Sequence, residues 1–216
     1  MGICQRCLLL ITLVPALAVV QVDEDVKIVL NEPTVEIIEF DPANPPVDLE
    51  LAPDEDALCR FDFNVDLRYK FRYRGKPTRE GVTVRLNRIT FTYTLDLRHR
   101  IYLPENANEK LIEHEHGHRR IGETVFAQAD RIVREVADEV MGKRWEGTGK
   151  TEKEAAQAAT DPMFQEALRG VVDRLTDEAQ RLNDEYDDLT EHGTNGIPTD
   201  SAVKKVLLAA GYDVTE

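Results

Sequence analysis

The hydrophobic pattern of this chain changes from a two-residue period to a helical period near Pro104. Between Phe61 and Tyr69 every second residue is apolar, which predicts a β-strand with one buried face. From Asn106 to Gly142 the apolar residues recur with the period of a helix. Strands and helices therefore occupy separate blocks of the sequence, and this segregation predicts an α+β fold.

Further segments in the first half of the chain have the composition of strands. They are rich in β-branched and aromatic residues, and most are bounded by Gly, Pro, Asn or Asp. They cover Val26 to Leu30, Val35 to Phe40, Val82 to Leu86, Ile89 to Leu97 and Arg100 to Leu103. A turn is predicted at Gly75-Lys76-Pro77, after the alternating segment. We therefore expect a small, mostly antiparallel sheet.

Two long antiparallel helices are expected to pack beside this sheet. The first begins at Asn106, which forms a capping-box-like start with Glu109, and it ends at Gly142. The second begins at Asp161-Pro162, since proline is favoured in the first turn of a helix. A short helix capped by Thr151 and Glu154 is predicted between them, and a short amphipathic segment is predicted from Ala202 to Ala210.

The N-terminus has the features of a secretory signal peptide. An apolar run extends from Leu8 to Val20, and Ala18 provides a cleavage site that would remove residues 1–18. The run contains Pro15 and is shorter than the roughly 18 to 20 residues that a membrane span requires. We therefore expect a periplasmic or secreted protein with no membrane span after signal cleavage.

Two regions follow the signal peptide. Residues 19–58 form an acidic, proline-rich leader with short strands, and residues 59–216 form the folded domain. Cys59 is the one cysteine left after cleavage, so an intramolecular disulfide is excluded. The formal net charge of −14 predicts a surface that repels nucleic acid and anionic lipid. We expect no nucleic-acid partner.

A metal-binding pattern, H-E-x-x-H, lies within the first long helix. Its spacing places the imidazoles of His114 and His118 one turn apart, close enough to bind one tetrahedral Zn²⁺ ion. Both histidines belong to the apolar stripe of the helix and should face the interior. Glu115 lies about 100° away around the helix axis, where it can accept a proton from metal-bound water. The pattern predicts a zinc site with Glu115 as the general base.

Such a site needs a third protein ligand, and the spacing leaves several residues open. Glu123 is the nearest in sequence, but it lies about 180° around a continuous helix and qualifies only if the helix breaks at Gly122. His99 precedes the helix on a predicted strand. His192 follows the second long helix, which can return beside the first.

Two segments resemble those of a bacterial family of predicted secreted zinc-dependent proteases, whose domain has no assigned function. Residues 111–123 read LIEHEHGHRRIGE, and residues 186–193 read YDDLTEHG. The family combines an H-E-x-G-H helix start with a distal Y-D-x-x-T-x-H-G motif, and both are present here. The resemblance extends over about residues 61–196, and it implies a zincin-like fold around the H-E-x-x-H helix.

The resemblance also implies roles for the distal motif. It implies that His192 joins His114 and His118 as the third zinc ligand. It further implies that Tyr186 assists catalysis, with Asp187 as an alternative supporting residue. The expected function is a secreted or periplasmic zinc-dependent metallopeptidase that hydrolyses peptide bonds in a peptide or protein substrate.

Two other interpretations are consistent with the sequence. In one, the protein is a non-catalytic, zinc-stabilised envelope binding domain, because bound metal can itself supply folding free energy. In the other, no metal binds and the histidines are packed core residues. A Glu115→Gln variant separates the first from an enzyme, since only an enzyme would lose turnover while it retains metal. The sequence does not predict an oligomeric state.

Overall fold

The computed structural model describes residues 25–47, 49–51 and 55–214. The predicted signal peptide, residues 1–18, lies outside the described residues. Within the described ranges, no helix is both long and apolar enough to cross a membrane. The described chain forms one sheet with helices packed on one of its faces.

The sheet contains five strands. They are β1 (Val26–Leu30), β2 (Thr34–Phe40), β3 (Leu58–Thr78), β4 (Gly81–Pro104) and β5 (Glu146–Gly149). β3 and β4 form one long antiparallel hairpin, in which Leu58 pairs with Tyr102 and Thr78 pairs with Gly81. The side chains alternate along β3 as the sequence predicts, with Leu67 buried and its neighbours Asp66 and Arg68 exposed.

β4 pairs with every other strand of the sheet. Along the edge opposite β3 it pairs in parallel with β1 and β2, and in antiparallel with β5. The two parallel pairs differ from the mostly antiparallel sheet that we expected. β1 and β2 are consecutive, separated by residues 31–33, and the chain keeps its direction between them. Both strands therefore have the same orientation along β4.

The hairpin turn lies later than the sequence predicts. The predicted turn residues 75–77 belong to β3, and the chain reverses at Arg79 and Glu80 instead. Gly81 has a φ of +147°, and a Cβ atom there would lie 2.2 Å from the carbonyl oxygen of Gly149. A glycine is needed at the start of β4 because β5 approaches its backbone so closely.

Four helices follow the hairpin. They are α1 (Glu109–Ala127), α2 (Ala129–Met141), α3 (Glu152–Thr190) and α4 (Thr199–Ala209). The first long helix was expected to be continuous, but it is divided at Gln128, whose φ of −103° and ψ of 13° are not helical. Its N-cap is Asn108, whose side chain accepts a hydrogen bond from the Leu111 N–H, and not Asn106.

α3 is a single helix of 39 residues and not a short helix followed by a new one at Asp161-Pro162. The expected cap at Thr151 is confirmed, because its hydroxyl accepts a hydrogen bond from the Glu154 N–H. A proline inside a helix costs about 3 kcal/mol. Apolar residues on both sides of Pro162 are fully buried at helical spacing, and this packing offsets the cost. They are Ala155, Ala159, Met163, Ala167, Val171 and Leu175.

The core lies between the sheet and the helices. One face of β4 contributes a row of buried side chains, and α1, α2 and α3 cover it. The largest include Phe91, Tyr93, Leu95 and Leu97 from the sheet, and Ile121, Leu175 and Leu182 from the helices. His114 of α1 contacts Tyr186, and further along, His118 contacts Asn183, so α1 and α3 are antiparallel. The predicted α+β class is confirmed.

Candidate metal centre

The two histidines of the H-E-x-x-H pattern lie side by side on α1. Their Nε2 atoms are 3.1 Å apart, and both rings are directed towards α3. His114 is 5% exposed as a residue, and the side chain of His118 is 12% exposed. The orientation expected from the apolar stripe of the helix is therefore observed.

A carboxylate oxygen from α3 completes a triangle with these nitrogens. The Oδ1 atom of Asp187 lies 3.1 Å from Nε2 of His114 and 3.1 Å from Nε2 of His118. For ligand bonds of about 2.0 to 2.1 Å, the corners of a tetrahedron are roughly 3.3 to 3.4 Å apart. The three atoms thus have nearly the spacing of three ligands around one tetrahedral metal ion, although the sequence assigned Asp187 only a supporting role.

The Oδ1 atom of Asp187 is buried and makes no hydrogen bond of acceptable geometry with any described residue. Burial alone would raise the pKa of Asp187, but the His114 and His118 imidazoles outweigh it and hold this pKa far below its usual range. A buried carboxylate of this kind needs a cationic partner. Either a protonated imidazole or a metal ion can supply that positive charge.

Asn183 determines which nitrogen of His118 faces the triangle. Its side-chain NH₂ donates to the Ala179 carbonyl, so its Oδ1 points towards His118 and lies 2.8 Å from Nδ1. Nδ1 of His118 must then carry the proton, which leaves a lone pair on Nε2. A second hydrogen bond that fixes the tautomer in this way is typical of metal-binding histidines. Asn183 is not among the site residues that the sequence predicts.

Tyr186 packs against both histidines. Its ring stacks on His114 with a centroid distance of 4.9 Å, and it meets His118 edge-on at the same distance. Its hydroxyl donates to the backbone carbonyl of His114 at 3.4 Å. The side chain is fully buried and does not line the cavity described below. This placement supports a role in positioning the imidazoles, and the predicted assistance to catalysis stays a prediction.

Glu115 is buried next to the histidines. Its carboxylate, together with the imidazoles of His114 and His118, forms a group whose ligand atoms all lie within 4.8 Å of one another, and this group could hold a metal ion. Burial raises the pKa of Glu115 to about 7. Its Oε2 atom has no hydrogen-bond partner among the described residues. A carboxylate with a pKa near neutrality is suited to accept and release protons.

The end of α3 folds back towards the histidines. Glu191, His192 and Gly193 all have left-handed backbones, with φ values of 50°, 51° and 74°. A Cβ atom on Gly193 would lie 2.8 Å from Cγ of His114, so the chain approaches this ring more closely than other residues permit. The Gly193 N–H donates to the Thr190 hydroxyl, which holds the turn in place.

The structure places the other candidate ligands outside the triangle. Nδ1 of His192 lies 3.8 Å from Oδ1 of Asp187, and the His192 side chain is 39% exposed. Glu123 pairs with Arg119 on an unbroken helix. His99 is fully buried and packs against Gly122 on another part of α1. Asp187 therefore lies closer to the two histidines than any other candidate ligand, and the role of His192 that the resemblance implies stays a prediction.

The three converging atoms face a cavity of about 630 Å³ between the start of β3, the start of α1 and the end of α3. His114, Glu115, His118 and Asp187 all line it. Cys59 and Phe61 of β3 line it as well. This volume lies within the range that is typical of ligand-binding sites.

Comparison with known proteins gave no match to a family model, a curated protein or a solved structure. The resemblance to predicted secreted zinc-dependent proteases therefore stays a prediction. The chemistry of this site follows from its own geometry, in which two imidazoles, one carboxylate and a neighbouring buried glutamate line a common cavity.

Proposed function

We propose that this protein is a zinc-dependent metallopeptidase, with His114, His118 and Asp187 as the zinc ligands and Glu115 as the general base. The observation that supports this most directly is the triangle of two imidazole nitrogens and one carboxylate oxygen, each 3.1 Å from the others. In the metal-free protein these lone pairs would repel one another unless a proton lies between them.

The ligand types support zinc over other metals. Imidazole nitrogens are preferred by zinc, copper, iron and nickel, whereas magnesium and calcium prefer sites made of oxygen atoms. Three protein ligands leave one tetrahedral position open, as in catalytic zinc sites, while structural zinc sites have four protein ligands. The open position would face the cavity, because the three ligand residues line it.

Bound zinc would supply a Lewis acid that polarises a carbonyl oxygen and acidifies water. Glu115 would accept the proton of the attacking water and later donate it to the amine that leaves. This shuttle requires a carboxylate that is deprotonated near neutral pH. Burial raises the pKa of Glu115 to about 7 in the absence of metal, and a neighbouring zinc cation would lower it again. Asn183 and Tyr186 would hold the two imidazoles in orientation.

Metal content and peptidase activity, measured on the same purified samples, test this proposal. We expect about one zinc per chain in the wild type, and loss of zinc in His114→Ala and Asp187→Asn. The Glu115→Gln variant should keep its zinc and lose roughly 10²- to 10⁴-fold in turnover of an unfolded protein substrate. Glu123→Gln changes a half-buried glutamate of the same helix that pairs with Arg119 outside the triangle. It is the matched control and should retain both.

The same samples distinguish the alternatives. If Glu115→Gln keeps both its zinc and its stability and the wild type shows no turnover, the protein is a zinc-stabilised binding domain. If freshly purified wild type contains iron, the two histidines and one carboxylate form a different kind of centre. If His192→Ala loses zinc while Asp187→Asn keeps it, the ligand assignment from the resemblance is correct and ours is wrong.

A further inference from the structure

Positive charge is concentrated on one face of the β3–β4 hairpin. In a chain with 41 acidic and 27 basic residues, the segment 68–88 contains eight basic residues and one acidic residue. We call these eight the basic hairpin face. They are Arg68, Lys70, Arg72, Arg74, Lys76, Arg79, Arg85 and Arg88, and all are exposed. The charge of this segment is therefore opposite in sign to that of the whole protein.

Strand alternation places these side chains on the outer surface of the sheet. Between the basic positions of β3, Tyr69 and Phe71 point to the other face and are partly buried. Tyr69 packs against Phe164 of α3, with a ring-centroid distance of 5.7 Å. The apolar face of the hairpin thus holds it on the helices, and the opposite, basic face is directed to solvent.

Several of these charges are not neutralised within the described part of the chain. The register pairs Arg72 with Arg88 and Arg74 with Arg85, and like charges directly opposite each other destabilise a sheet. Arg85 and Arg88 each have one acidic partner, Glu146 and Asp25. No ion pair within the described residues involves Lys70, Arg72, Arg74, Lys76 or Arg79. Within the described residues these five side chains have no acidic partner, which leaves their charge available to an anionic partner.

The basic hairpin face also lies next to the N-terminal end of the described chain. Asp25, directly before β1, forms an ion pair with Arg88 at 3.0 Å. In sequence, the apolar run from Leu8 to Val20 ends only five residues before Asp25. The described chain therefore begins beside the basic hairpin face, a short distance in sequence after an apolar segment.

We propose that the basic hairpin face docks on a membrane surface that contains anionic phospholipid. Clusters of four to eight Lys or Arg residues near a membrane are sufficient to bind anionic lipid. Salt limits electrostatic attraction to about 8 to 10 Å, so the charge nearest the membrane decides the sign of the interaction. The repulsion from anionic lipid that the net charge predicts therefore applies to the other faces of the protein.

The proposed orientation leaves the metal centre accessible. The cavity is lined by Cys59 and Phe61 at the start of β3, whereas the basic hairpin face begins at Arg68 and extends to the far end of the strand. From Phe61 to Arg72 the strand rises by about 35 Å at roughly 3.3 Å per residue. This docking requires neither zinc nor peptidase activity.

Vesicle sedimentation of the full chain tests the proposal. Phosphatidylcholine vesicles are compared with vesicles that also contain phosphatidylglycerol, and the readout is the ratio of the two partition coefficients. We expect the wild type to prefer the anionic vesicles at low salt and to lose this preference as salt is raised. The Arg72→Gln/Arg74→Gln variant should lose about tenfold or more of the preference.

The matched control is Arg131→Gln/Arg134→Gln on α2, which removes the same charge from another exposed surface. It should retain the preference of the wild type, and thermal unfolding of both variants verifies that they are folded. Equal binding of the wild type to both kinds of vesicle would overturn the proposal, as would an equal loss in both variants. Tight binding to soluble polyphosphate without binding to anionic vesicles would instead identify a soluble polyanion as the partner.

Discussion

At the level of single residues, the hydrogen bond from His118 to Asn183 leads to a prediction about zinc affinity. Oδ1 of Asn183 accepts from Nδ1 of His118 and so fixes the tautomer that directs the Nε2 lone pair towards the candidate metal site. The Asn183→Ala variant should bind zinc about 10- to 100-fold more weakly, because outer hydrogen bonds of this kind contribute that much to affinity. Competition with a zinc-binding dye measures the change.

Gln165→Ala is the control for this variant. Gln165 lies on the exposed side of the same helix, α3, so its loss should leave zinc affinity unchanged. If Asn183→Ala and Gln165→Ala bind zinc equally well, the hydrogen bond to His118 has no part in metal binding.

His99 leads to a prediction about pH. Burial, with a smaller effect from the Arg119 cation, lowers the pKa of His99 from 6.5 to about 4. Between these values the unfolded chain binds more protons than the folded protein, so this residue's contribution to stability is present above pH 6.5 and is lost as the pH falls towards 4.

Chelator-treated protein isolates this effect from zinc loss. The free energy of unfolding in urea, measured for the wild type and for His99→Gln, should differ less at about pH 4.5 than at about pH 7. Curves that remain parallel over this range would show that His99 does not titrate as its burial implies.

The sequence predicts only part of the candidate metal site, because some of its residues lie on one helix and the others on a different helix. His114, Glu115 and His118 belong to one helix, so their spacing alone places them together. Asp187 comes from a different helix, and its role depends on how α3 is rotated against α1. Asn183 lies one turn before Asp187 on the same face, and this polar pair beside an apolar stripe is a signal that the sequence analysis could have used.

At the level of elements, the contact between α1 and α3 depends on Gly117. A Cβ atom there would lie 2.3 Å from the hydroxyl oxygen of Tyr186 and 2.6 Å from its Cζ. The Gly117→Ala variant should therefore separate the helices and displace the ring that packs on both histidines. We expect a loss of roughly 1 to 3 kcal/mol in the free energy of unfolding, measured in urea, together with weaker zinc binding.

Gly196→Ala provides the comparison for this change. No atom lies within 4 Å of the Cβ position at Gly196, so the same substitution there should have little effect. A Gly117→Ala variant as stable as the wild type would mean that Tyr186 moves freely, and its proposed positioning role would be wrong.

The local hydrophobic pattern predicts the positions of the strands better than it predicts which strands pair and in which direction. The predicted segments 26–30 and 35–40 coincide closely with β1 and β2. Hydrophobic alternation is the same in parallel and antiparallel strands, so it does not reveal that both run parallel to β4. The helix start predicted at Asp161-Pro162 was wrong for a related reason. Proline disfavours a helix locally, whereas the burial that stabilises a continuous α3 depends on the whole fold.

At the level of the whole molecule, the proposed zinc ion would join α1 to the end of α3. Metal that binds only the folded state stabilises it by about 2.7 kcal/mol at a free concentration 100-fold above Kd. For a protein of this size we expect a chelator to lower Tm by roughly 5 to 10 °C. Calorimetry with and without chelator measures the shift.

Asp187→Asn tests whether this shift comes from the proposed site. The variant should be insensitive to chelator, since it lacks the carboxylate that links the two helices. A chelator that lowers the Tm of the wild type and the variant equally would place the stabilising metal elsewhere.

The central position of β4 has a consequence for the order in which the chain can fold. In the described sheet, each of the other four strands pairs with β4 alone. β1, β2 and β3 all precede it, so the first strands to leave a ribosome or a translocation channel find no partner until residues 81–104 have followed. Unpaired strand edges invite aggregation. The chain is therefore most exposed to aggregation in the interval before β4 emerges.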